Sequence, residues 1–419
     1  MNKTALIIGY VWPEPNSSAA GSRMLQLIRA LQDGGNQVHY ASPAEFSEHA
    51  ADLPALGITP QRIALNCSSF DDYVQQLQPA LVLFDRFMME EQFGWRVEKF
   101  CPQALRILDT EDLHCLRHAR QQQFKAAVKL LAEEAPLPLQ VDNEFLFSEV
   151  AVREIAAILR CDLSLMISAA EIEILQRRFQ VPATQLLYLP FMEDLPLRAA
   201  VPDFSQRQHF VAIGNFRHEP NWDAVRYLKE ALWPRIRQQL PQAELHIYGA
   251  YPPPKATQLH NAREGFLVKG WADDAIWVIQ QARVMLAPLR FGAGLKGKLI
   301  DAARSGTPAV TTGIGAEGMY DAGAEPVLLA NGAEEFAAAA VRLYRDEALW
   351  QSLQQHGLGL IQQRFAYAVH APRLQQQLLQ LQASIAEHRR QHFYSQMLRH
   401  HSLKSTQYMA QWIEAKTRR

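Results

Sequence analysis

The chain has 419 residues, of which 48% are apolar and 20% charged, and its 42 Lys and Arg against 43 Asp and Glu leave a net charge of −1. This length and composition indicate a soluble protein of two domains, and the near-zero charge excludes a general nucleic-acid binder, which would carry a large basic excess. Four widely spaced cysteines without a C-x-x-C pair argue against a disulfide framework or a zinc site, and short apolar runs favour a cytoplasmic protein.

Short apolar segments alternate with helical periodicities along the chain, beginning with a predicted strand at 4–10 and a predicted helix at 22–31. The other predicted strands of the first half lie at 37–42, 80–85, 104–109, 163–168 and 186–191, and a long helical region is predicted at 113–159. The predicted strands of the second half lie at 209–216, 243–249, 266–270, 284–289, 308–312 and 326–330. This alternation is typical of parallel sheets with crossover helices, so it predicts an α/β fold with two doubly wound domains.

The alternation breaks at 193–208, where proline and charged residues replace the periodic pattern. We therefore predict a first domain at 1–198 and a second domain at 199–370. A helical composition without further strands follows at 371–419, and we expect the first part of this tail to pack back on the first domain.

Ligands of doubly wound sheets bind beyond the carboxyl ends of the strands, so polar residues in those loops are candidates for function. After the first strand, Gly21 and Arg23 stand at the start of the predicted helix. The alternative is that serines of this loop only cap that helix. Ser168 and Glu171, after a later strand, have the spacing of a capping box, and we interpret them as a helix cap.

A cluster of polar residues follows the predicted strand at 104–109. Asp109 and His114 are candidates to orient a hydroxyl, accept its proton or stabilise a developing positive charge. The alternative is a helix cap by Thr110 or Asp112 with a solvated His114.

The loop after the first strand of the second domain opens towards the first domain. Asn221 or Asp223 could merely cap the helix that follows. The candidate ligand contacts in this loop are Gly214, Asn215, Arg217 and His218.

The segment at 288–318 is the strongest functional candidate of the chain. A helix is predicted within it at 294–306, with Lys296 and Lys298 in the first turn, where they face the positive end of the helix dipole, and Gly297 weakens the helix further. A bound anion would offset these costs, because free N–H groups, the lysines and Arg290 would converge on it. Glycines such as Gly294 let a ligand approach the backbone. The alternative is a basic helix end solvated at the surface.

Gly313, Gly315 and Gly318 match the pattern G-x-G-x-x-G, but the match follows a late strand and lacks the acidic residue of a nicotinamide site. We interpret this stretch as a backbone loop on the phosphate side of a ligand.

These segments together resemble the retaining nucleotide-sugar glycosyltransferases of family 4, the group-one glycosyltransferases. The resemblance covers about residues 4–380 and is carried mainly by GNFRHEPNWDAVRYLKEALWPRI, PQAELHIYG and PLRFGAGLKGKLIDAARSGTPAVTTGIGAEGM. It implies two facing Rossmann-like domains of the GT-B type with a nucleotide-sugar donor held by the second domain.

The resemblance also implies roles for individual residues. Asp301 would hold the ribose hydroxyls, and Asp109 or His114 would lie near the reacting sugar. Ala293 stands where relatives carry a glutamate that helps to hold the donor sugar, so the sugar is not identified. The residues implied to contact the donor diphosphate or sugar are Arg290, Lys296, Lys298, Gly315, Ala316 and Glu317.

The implied reaction is metal-independent transfer with retention of configuration, without a cofactor other than the donor substrate. The acceptor is an unidentified saccharide, lipid or protein. Two alternatives stay open: a nucleotide-sugar epimerase of the same fold, and a non-catalytic scaffold, which Ala293 favours.

The tail at 384–419 combines basic residues with aromatic ones, and acidic residues are few. It is a candidate for peripheral contact with an anionic inner membrane or with a protein. The alternative is a solvated helical extension.

Overall fold

A computed structural model describes residues 3–131, 138–194, 201–321, 323 and 325–417. Two parallel sheets, each covered by helices on its faces, account for the predicted strand and helix alternation. The predicted α/β class with two doubly wound domains and a helical extension is therefore confirmed. The predicted boundary at residues 198 and 199 lies outside the described residues and stays a prediction.

The first sheet has seven parallel strands in the order β3-β2-β1-β4-β5-β6-β7. Its interior strands read as continuous apolar runs because both faces are covered by helices. The strands are β1 (Thr4–Ile8), β2 (Gln37–Ser42), β3 (Thr59–Arg62), β4 (Leu81–Asp85), β5 (Leu105–Asp109), β6 (Leu163–Met166) and β7 (Leu186–Tyr188). The helices are α1 (Ala19–Asp33), α2 (Ser69–Leu77), α3 (Phe87–Phe100), α4 (His114–Leu131), α5 (Asn143–Leu146), α6 (Glu149–Arg160) and α7 (Ala169–Arg178).

The second sheet has six parallel strands in the order β10-β9-β8-β11-β12-β13. The strands are β8 (Gln208–Ile213), β9 (Leu245–Tyr248), β10 (Phe266–Gly270), β11 (Ala282–Ala287), β12 (Ala309–Thr311) and β13 (Val327–Leu329). The helices are α8 (Glu219–Tyr227), α9 (Trp233–Gln239), α10 (Pro254–Thr257), α11 (Ala275–Gln281), α12 (Gly297–Arg304), α13 (Gly313–Ala316), α14 (Ala333–Arg345) and α15 (Glu347–Arg364). A π-helical turn, Leu228–Leu232, joins α8 to α9.

Two sequence-based expectations for the first domain were incomplete. The edge strand β3 was not predicted, because its sequence TPQR is polar and contains a proline, which only an edge strand tolerates. The single helical region predicted at 113–159 is divided among α4, α5 and α6, and residues 132–137 of it lie outside the described part of the chain.

The helical tail packs on the first domain. Helix α16 (Tyr367–Gln391) buries Leu374, Leu378 and Leu381 in the apolar core that α1 also covers. Helix α17 (Phe393–Thr417) continues across the same domain and packs against α3 and α6. The chain segment that leads from the second domain into the tail is held near Glu193. The backbone N–H of Glu193 donates to the carbonyl of Phe365, and its carbonyl accepts from the N–H of Tyr367.

The two domains share apolar contacts at the cleft between them. Ala293 of the second domain belongs to the core cluster of the first, and Ile167 and Phe191 belong to a core cluster of the second. The loops at the carboxyl ends of both sheets therefore meet, which is where ligands of such sheets bind.

Candidate functional site

The first turn of α12 faces the first domain at very short range. A Cβ atom on Gly297 would lie 2.5 Å from Cβ of Ala19, the first residue of α1. Only glycine fits at this contact, and the amino-terminal ends of the two helices are thereby brought together across the cleft. The predicted helix is thus present, beginning at Gly297 and ending at Arg304, just before Gly306.

Lys296 and Lys298 flank that contact, and both are half-buried. Nζ of Lys296 donates to the carbonyls of Ala293 and Gly294 at 2.9 and 2.6 Å, and Nζ of Lys298 donates to Oδ1 of Asn221 at 2.8 Å. These partners are neutral, and among the described residues no carboxylate lies within 4.0 Å of either ammonium group.

The same surroundings shift both lysines towards the neutral form. Burial lowers the pKa of Lys296 to about 8, against the opposing charge of Glu317. Burial and the neighbouring ammonium of Lys296 lower the pKa of Lys298 to about 8. The two neighbouring ammonium groups are desolvated and hydrogen-bonded only to neutral groups. A bound anion would supply the direct charged partner that they lack.

Arg290 is held differently from the lysines. Its Nε and Nη2 donate to the two carboxylate oxygens of Asp223 at 2.9 and 2.7 Å, and its guanidinium lies over the rings of Phe124 and Tyr227. The alternative that Asp223 merely caps α8 is wrong, because its carboxylate pairs with Arg290 and α8 has no side-chain cap. Arg290 would have to share its donors between Asp223 and a phosphate.

Asp301 lies on the solvent-accessible side of α12, with 37% of its side chain exposed. Burial raises the pKa of its carboxyl to about 7, and Arg304 at 4.0 Å opposes the shift. Arg304 itself pairs with Glu193 at 2.8 Å. A carboxyl group that titrates near neutrality can donate a hydrogen bond to a hydroxyl group when it is protonated and accept one from it when it is ionised.

The loop after β8 lies beside the lysines. Asn221 does not cap α8: its amide donates to the carbonyl of Asn215 and accepts from Lys298. The amide of Asn215 reaches Oγ of Ser17 in the first domain at 3.1 Å. The N–H of Gly214 is used within the sheet, by the carbonyl of Tyr248.

Two exposed side chains extend this loop into the cleft. The guanidinium of Arg217 lies 3.5 Å from the ring centroid of Tyr251, whose hydroxyl donates to Glu14 of the first domain. The cleft walls and the nearby cation Arg117 lower the pKa of His218, although this residue retains contact with solvent. Its imidazole is therefore neutral at physiological pH.

Glu171 is a cleft residue that the sequence did not reveal. Its Oε1 accepts hydrogen bonds from the backbone N–H of Leu113 and of Gly294, both at 2.8 Å, so it joins the first domain to the loop before α12. Gly294 has φ +65° and stands where a Cβ would lie 2.7 Å from Cβ of Asp112. The capping-box interpretation is wrong, because Ser168 makes no side-chain cap and Glu171 points into the interface.

A second buried contact joins the domains at the glycine-rich loop. The guanidinium of Arg120 donates to both carboxylate oxygens of Glu317 at 2.6 Å and to the carbonyl of Gly292. Gly315 and Ala316 form the short helix α13, in which the N–H of Gly315 donates to Thr312. In this structure the carboxylate of Glu317 is therefore engaged in an ion pair between the domains and is not free to contact a ligand.

The first-domain candidates Arg23 and Asp109 do not face the cleft as expected. They form an ion pair at 2.9 Å in which both side chains are completely buried, and Arg23 also donates to the carbonyl of Leu189. The N–H of Gly21 donates to Ser18, which confirms the alternative that a serine caps α1. In this arrangement the side chains of Arg23 and Asp109 are not available to a ligand.

His114 starts α4 and lies at the cleft with a neutral imidazole. Burial lowers its pKa to about 3, although Nε2 is 3.5 Å from the carboxylate of Asp112. Asp112 also pairs with Arg117, and the charge of this guanidinium outweighs burial and holds the pKa of Asp112 below its usual value. The helix is capped by Glu154, which accepts from the N–H of His114, and not by Thr110 or Asp112.

A small pocket opens in the first domain beside Glu111, and Gly21 of α1 is part of its lining. Asp85 and Glu111 line it with Arg86, and burial raises the pKa of both carboxyl groups. Neither acid was predicted as a site residue, because their proximity depends on β4 and β5 being neighbours in the sheet.

One cluster of described residues has the composition of a metal site: His209, Glu244 and His246, at the amino ends of β8 and β9. Nδ1 of His209 accepts a hydrogen bond from the N–H of Glu244, so the proton of the neutral ring sits on Nε2, the atom that would bind the metal. The cluster therefore fits a metal poorly. It lies at the amino ends of the strands, whereas α12 follows the carboxyl end of β11.

Comparison with known proteins agrees with this arrangement. Residues 207–346 match the family model described as glycosyl transferases group 1. No curated protein matches the sequence. The matched residues lie in the second domain, and the resemblance to group-one glycosyltransferases predicted from the sequence is confirmed.

Solved structures share the whole two-domain fold. Sucrose-phosphate synthase from Thermosynechococcus elongatus is 18% identical with a TM-score of 0.65, over 91% of this chain and 100% of that one. Anabaena Alr3699/HepE, in complex with UDP and glucose, is 13% identical with a TM-score of 0.65, over 89% and 98%. WaaG, a glycosyltransferase involved in lipopolysaccharide biosynthesis, is 10% identical with a TM-score of 0.60, over 88% and 98%. These similarities confirm the GT-B fold.

In the described part of the chain, no helix combines the length and the hydropathy that crossing a bilayer requires.

Proposed function

We propose that the protein transfers a sugar from a nucleoside diphosphate donor to an acceptor hydroxyl, with retention of configuration and without a metal ion. The observation that carries this proposal is the pair Lys296 and Lys298 at the start of α12, desolvated and bonded only to neutral oxygens. Within a group 1 glycosyltransferase domain, such a pair suits the diphosphate of the donor.

The donor would lie along the start of α12. The ammonium groups and the first N–H groups of the helix would hold the diphosphate, and Arg290 would add to them by sharing its donors with Asp223. Asp301, at the exposed side of the same helix, suits the ribose hydroxyls. The neighbouring Anabaena protein is described with UDP and with UDP-glucose, so a uridine nucleotide is the first donor to test.

The chemistry follows from where charge develops. Breaking the bond between the anomeric carbon and the diphosphate leaves negative charge on the phosphate oxygens and positive charge on the sugar ring. Fixed cations aimed at those oxygens lower the barrier directly, which is the task a metal ion would otherwise perform. The acceptor oxygen attacks from the side of the leaving group, and a phosphate oxygen takes its proton.

No cofactor besides the donor is needed for this reaction, and the G-x-G-x-x-G match supports no nicotinamide site, since Gly315 serves a turn of α13. The acceptor, whether saccharide, lipid or protein, would approach from the first domain. The pocket beside Asp85 and Glu111 is on that side.

Mass spectrometry of the products formed from a panel of nucleotide sugars tests the proposal. We expect one donor to be hydrolysed slowly without an acceptor, with loss of the free sugar. The Lys298→Ala variant is expected to lose this activity, whereas Lys269→Ala, an exposed lysine on β10, is expected to keep it.

Two results would overturn the proposal. Conversion of the donor into an isomeric nucleotide sugar would identify an epimerase. Absence of any nucleotide-dependent rise in melting temperature across the panel would identify a scaffold. A bound ligand at 100 times its dissociation constant adds about 2.7 kcal/mol to the free energy of unfolding, so binding would be visible.

A further inference from the structure

The outer face of α17 carries a dense group of exposed apolar side chains, each between 41% and 70% exposed. We call this the aromatic face. Its members are Phe393, Tyr394, Met397, Tyr408, Met409 and Trp412. Isolated exposed apolar residues are ordinary, but six on one helix form a surface that soluble proteins rarely leave uncovered.

Helical geometry places these residues together. At 100° per residue they fall within an arc of about 160°, and they extend over about 30 Å along the helix. The opposite face of α17 packs on the first domain: Ala410 is buried against Trp95 of α3, and Ser395 bonds to Gln185. The aromatic face is therefore not the inner, packed face of the helix.

Charge is divided between the same two faces. Lys404 and Lys416 are exposed within the arc of the aromatic face, and Lys416 lies 5.1 Å from the ring centroid of Trp412. Glu414 is the single acid between residues 393 and 417, and it turns inward to accept hydrogen bonds from Ser68. The outer surface of α17 thus combines aromatic rings with positive charge and carries no carboxylate among its described residues.

We infer that the aromatic face docks on the surface of an anionic phospholipid bilayer. Tyr and Trp combine an apolar ring with a polar tip, and they favour the boundary between lipid and water. Lysines among them are attracted to anionic headgroups, and the inward turn of Glu414 removes the one charge that would be repelled. A second copy of this chain fits less well, because identical faces would oppose Lys404 and Lys416 to each other.

Flotation of the full-length protein with vesicles tests this inference. One set of vesicles contains phosphatidylcholine alone and the other adds phosphatidylglycerol. We expect binding to the anionic set only, weakened by salt. Tyr408→Ser with Trp412→Ser is expected to reduce binding at least about tenfold, since two buried rings contribute most of the apolar area.

The charged positions have a separate test. Each lysine near an anionic surface is worth about a fivefold change in binding, so Lys404→Glu with Lys416→Glu is expected to reduce it by about 25-fold or more. Matched controls away from α17 are Trp277→Ser, which removes a ring that is 58% exposed, and Lys125→Glu on α4. Neither control is expected to change binding, and melting curves verify that all variants are folded.

Either of two outcomes would overturn the inference. Binding to anionic vesicles that is absent, or unchanged by both pairs of substitutions on α17, would exclude this face as the membrane contact. Sedimentation velocity without lipid would show self-association removed by Tyr408→Ser with Trp412→Ser if a second copy were the partner instead. Both measurements are independent of glycosyl transfer.

Discussion

The two sides of the cleft treat their positive charges in opposite ways. In the first domain, Arg23 pairs with Asp109 inside the protein and Arg117 pairs with Asp112 at the cleft. In the second domain, Lys296 and Lys298 are bonded only to carbonyl and amide oxygens. A cation with a carboxylate partner is already neutralised, whereas one with neutral partners keeps its charge for an incoming anion.

This difference separates structural charge from ligand-binding charge better than burial does. Arg290 stands between the two cases, since it belongs to the same segment, 288–318, as the two lysines and yet pairs with Asp223. Substitutions on the first-domain side should therefore change stability, and substitutions of the lysines should change donor binding and turnover.

The largest expected effect comes from Asp109→Ala, which leaves Arg23 buried without its carboxylate. We expect the free energy of unfolding to fall by about 3 to 5 kcal/mol in urea denaturation. Nucleotide affinity, measured by calorimetry on the folded protein, should stay unchanged. Normal stability with lost turnover would instead return Asp109 to the reacting sugar, as the sequence suggested.

Lys298→Ala should have the converse profile. We expect about 2 to 4 kcal/mol of transition-state stabilisation to be lost, which is two to three decades in kcat/KM for donor hydrolysis. The free energy of unfolding should not fall, because a desolvated ammonium group is removed. If kcat/KM equalled that of the Lys269→Ala control, the contrast between the two sides would be broken.

Gly297→Ala tests whether the closed contact between α12 and α1 is needed for activity. The new Cβ would overlap that of Ala19, at a cost of about 1 to 3 kcal/mol that we expect to appear in kcat/KM. Nucleotide affinity should be retained, because the lysines belong to one domain. Adding Ala19→Gly restores the space and should recover activity, so a double variant as impaired as the single one would contradict this explanation.

The comparison also predicts a pH dependence of nucleotide affinity that grows with the distance above pH 8. The free lysines have pKa values of about 8, and a bound diphosphate stabilises their charged forms, so binding takes up protons above that pH. Affinity for UDP should be highest below pH 8 and fall above it by about tenfold per pH unit for each lysine. Calorimetry in buffers of different ionisation enthalpy measures both the affinity and the proton uptake. If the affinity for UDP stayed unchanged up to pH 9.5, the pKa values of Lys296 and Lys298 would not be lowered.

Much of the fold could be predicted because the interior strands of doubly wound sheets are apolar on both faces. In the described part of the chain, twelve of the thirteen strands overlap predicted segments, and the exception, β3, is a polar edge strand that contains Pro60. The basic first turn of α12 could also be predicted, because unfavourable charge at a helix end is visible in the sequence itself, although the predicted helix began three residues too early.

The rest of the site could not be predicted from local pattern. Glu171 has a local spacing that suggests a cap, but its partners are 58 and 123 residues away. Asp109 and Arg23 look like loop ligands in the sequence and are paired over 86 residues in the core.

The sequence by itself determined the α/β class and the basic start of α12, because strand burial, helix periodicity and helix-end charge are local properties. Only the tertiary structure decided which charges are neutralised, since a carboxylate partner can come from any part of the chain. The pairs of Arg290 with Asp223 and of Arg120 with Glu317, and the neutral partners of Lys296 and Lys298, depend on how the two domains bring distant loops together.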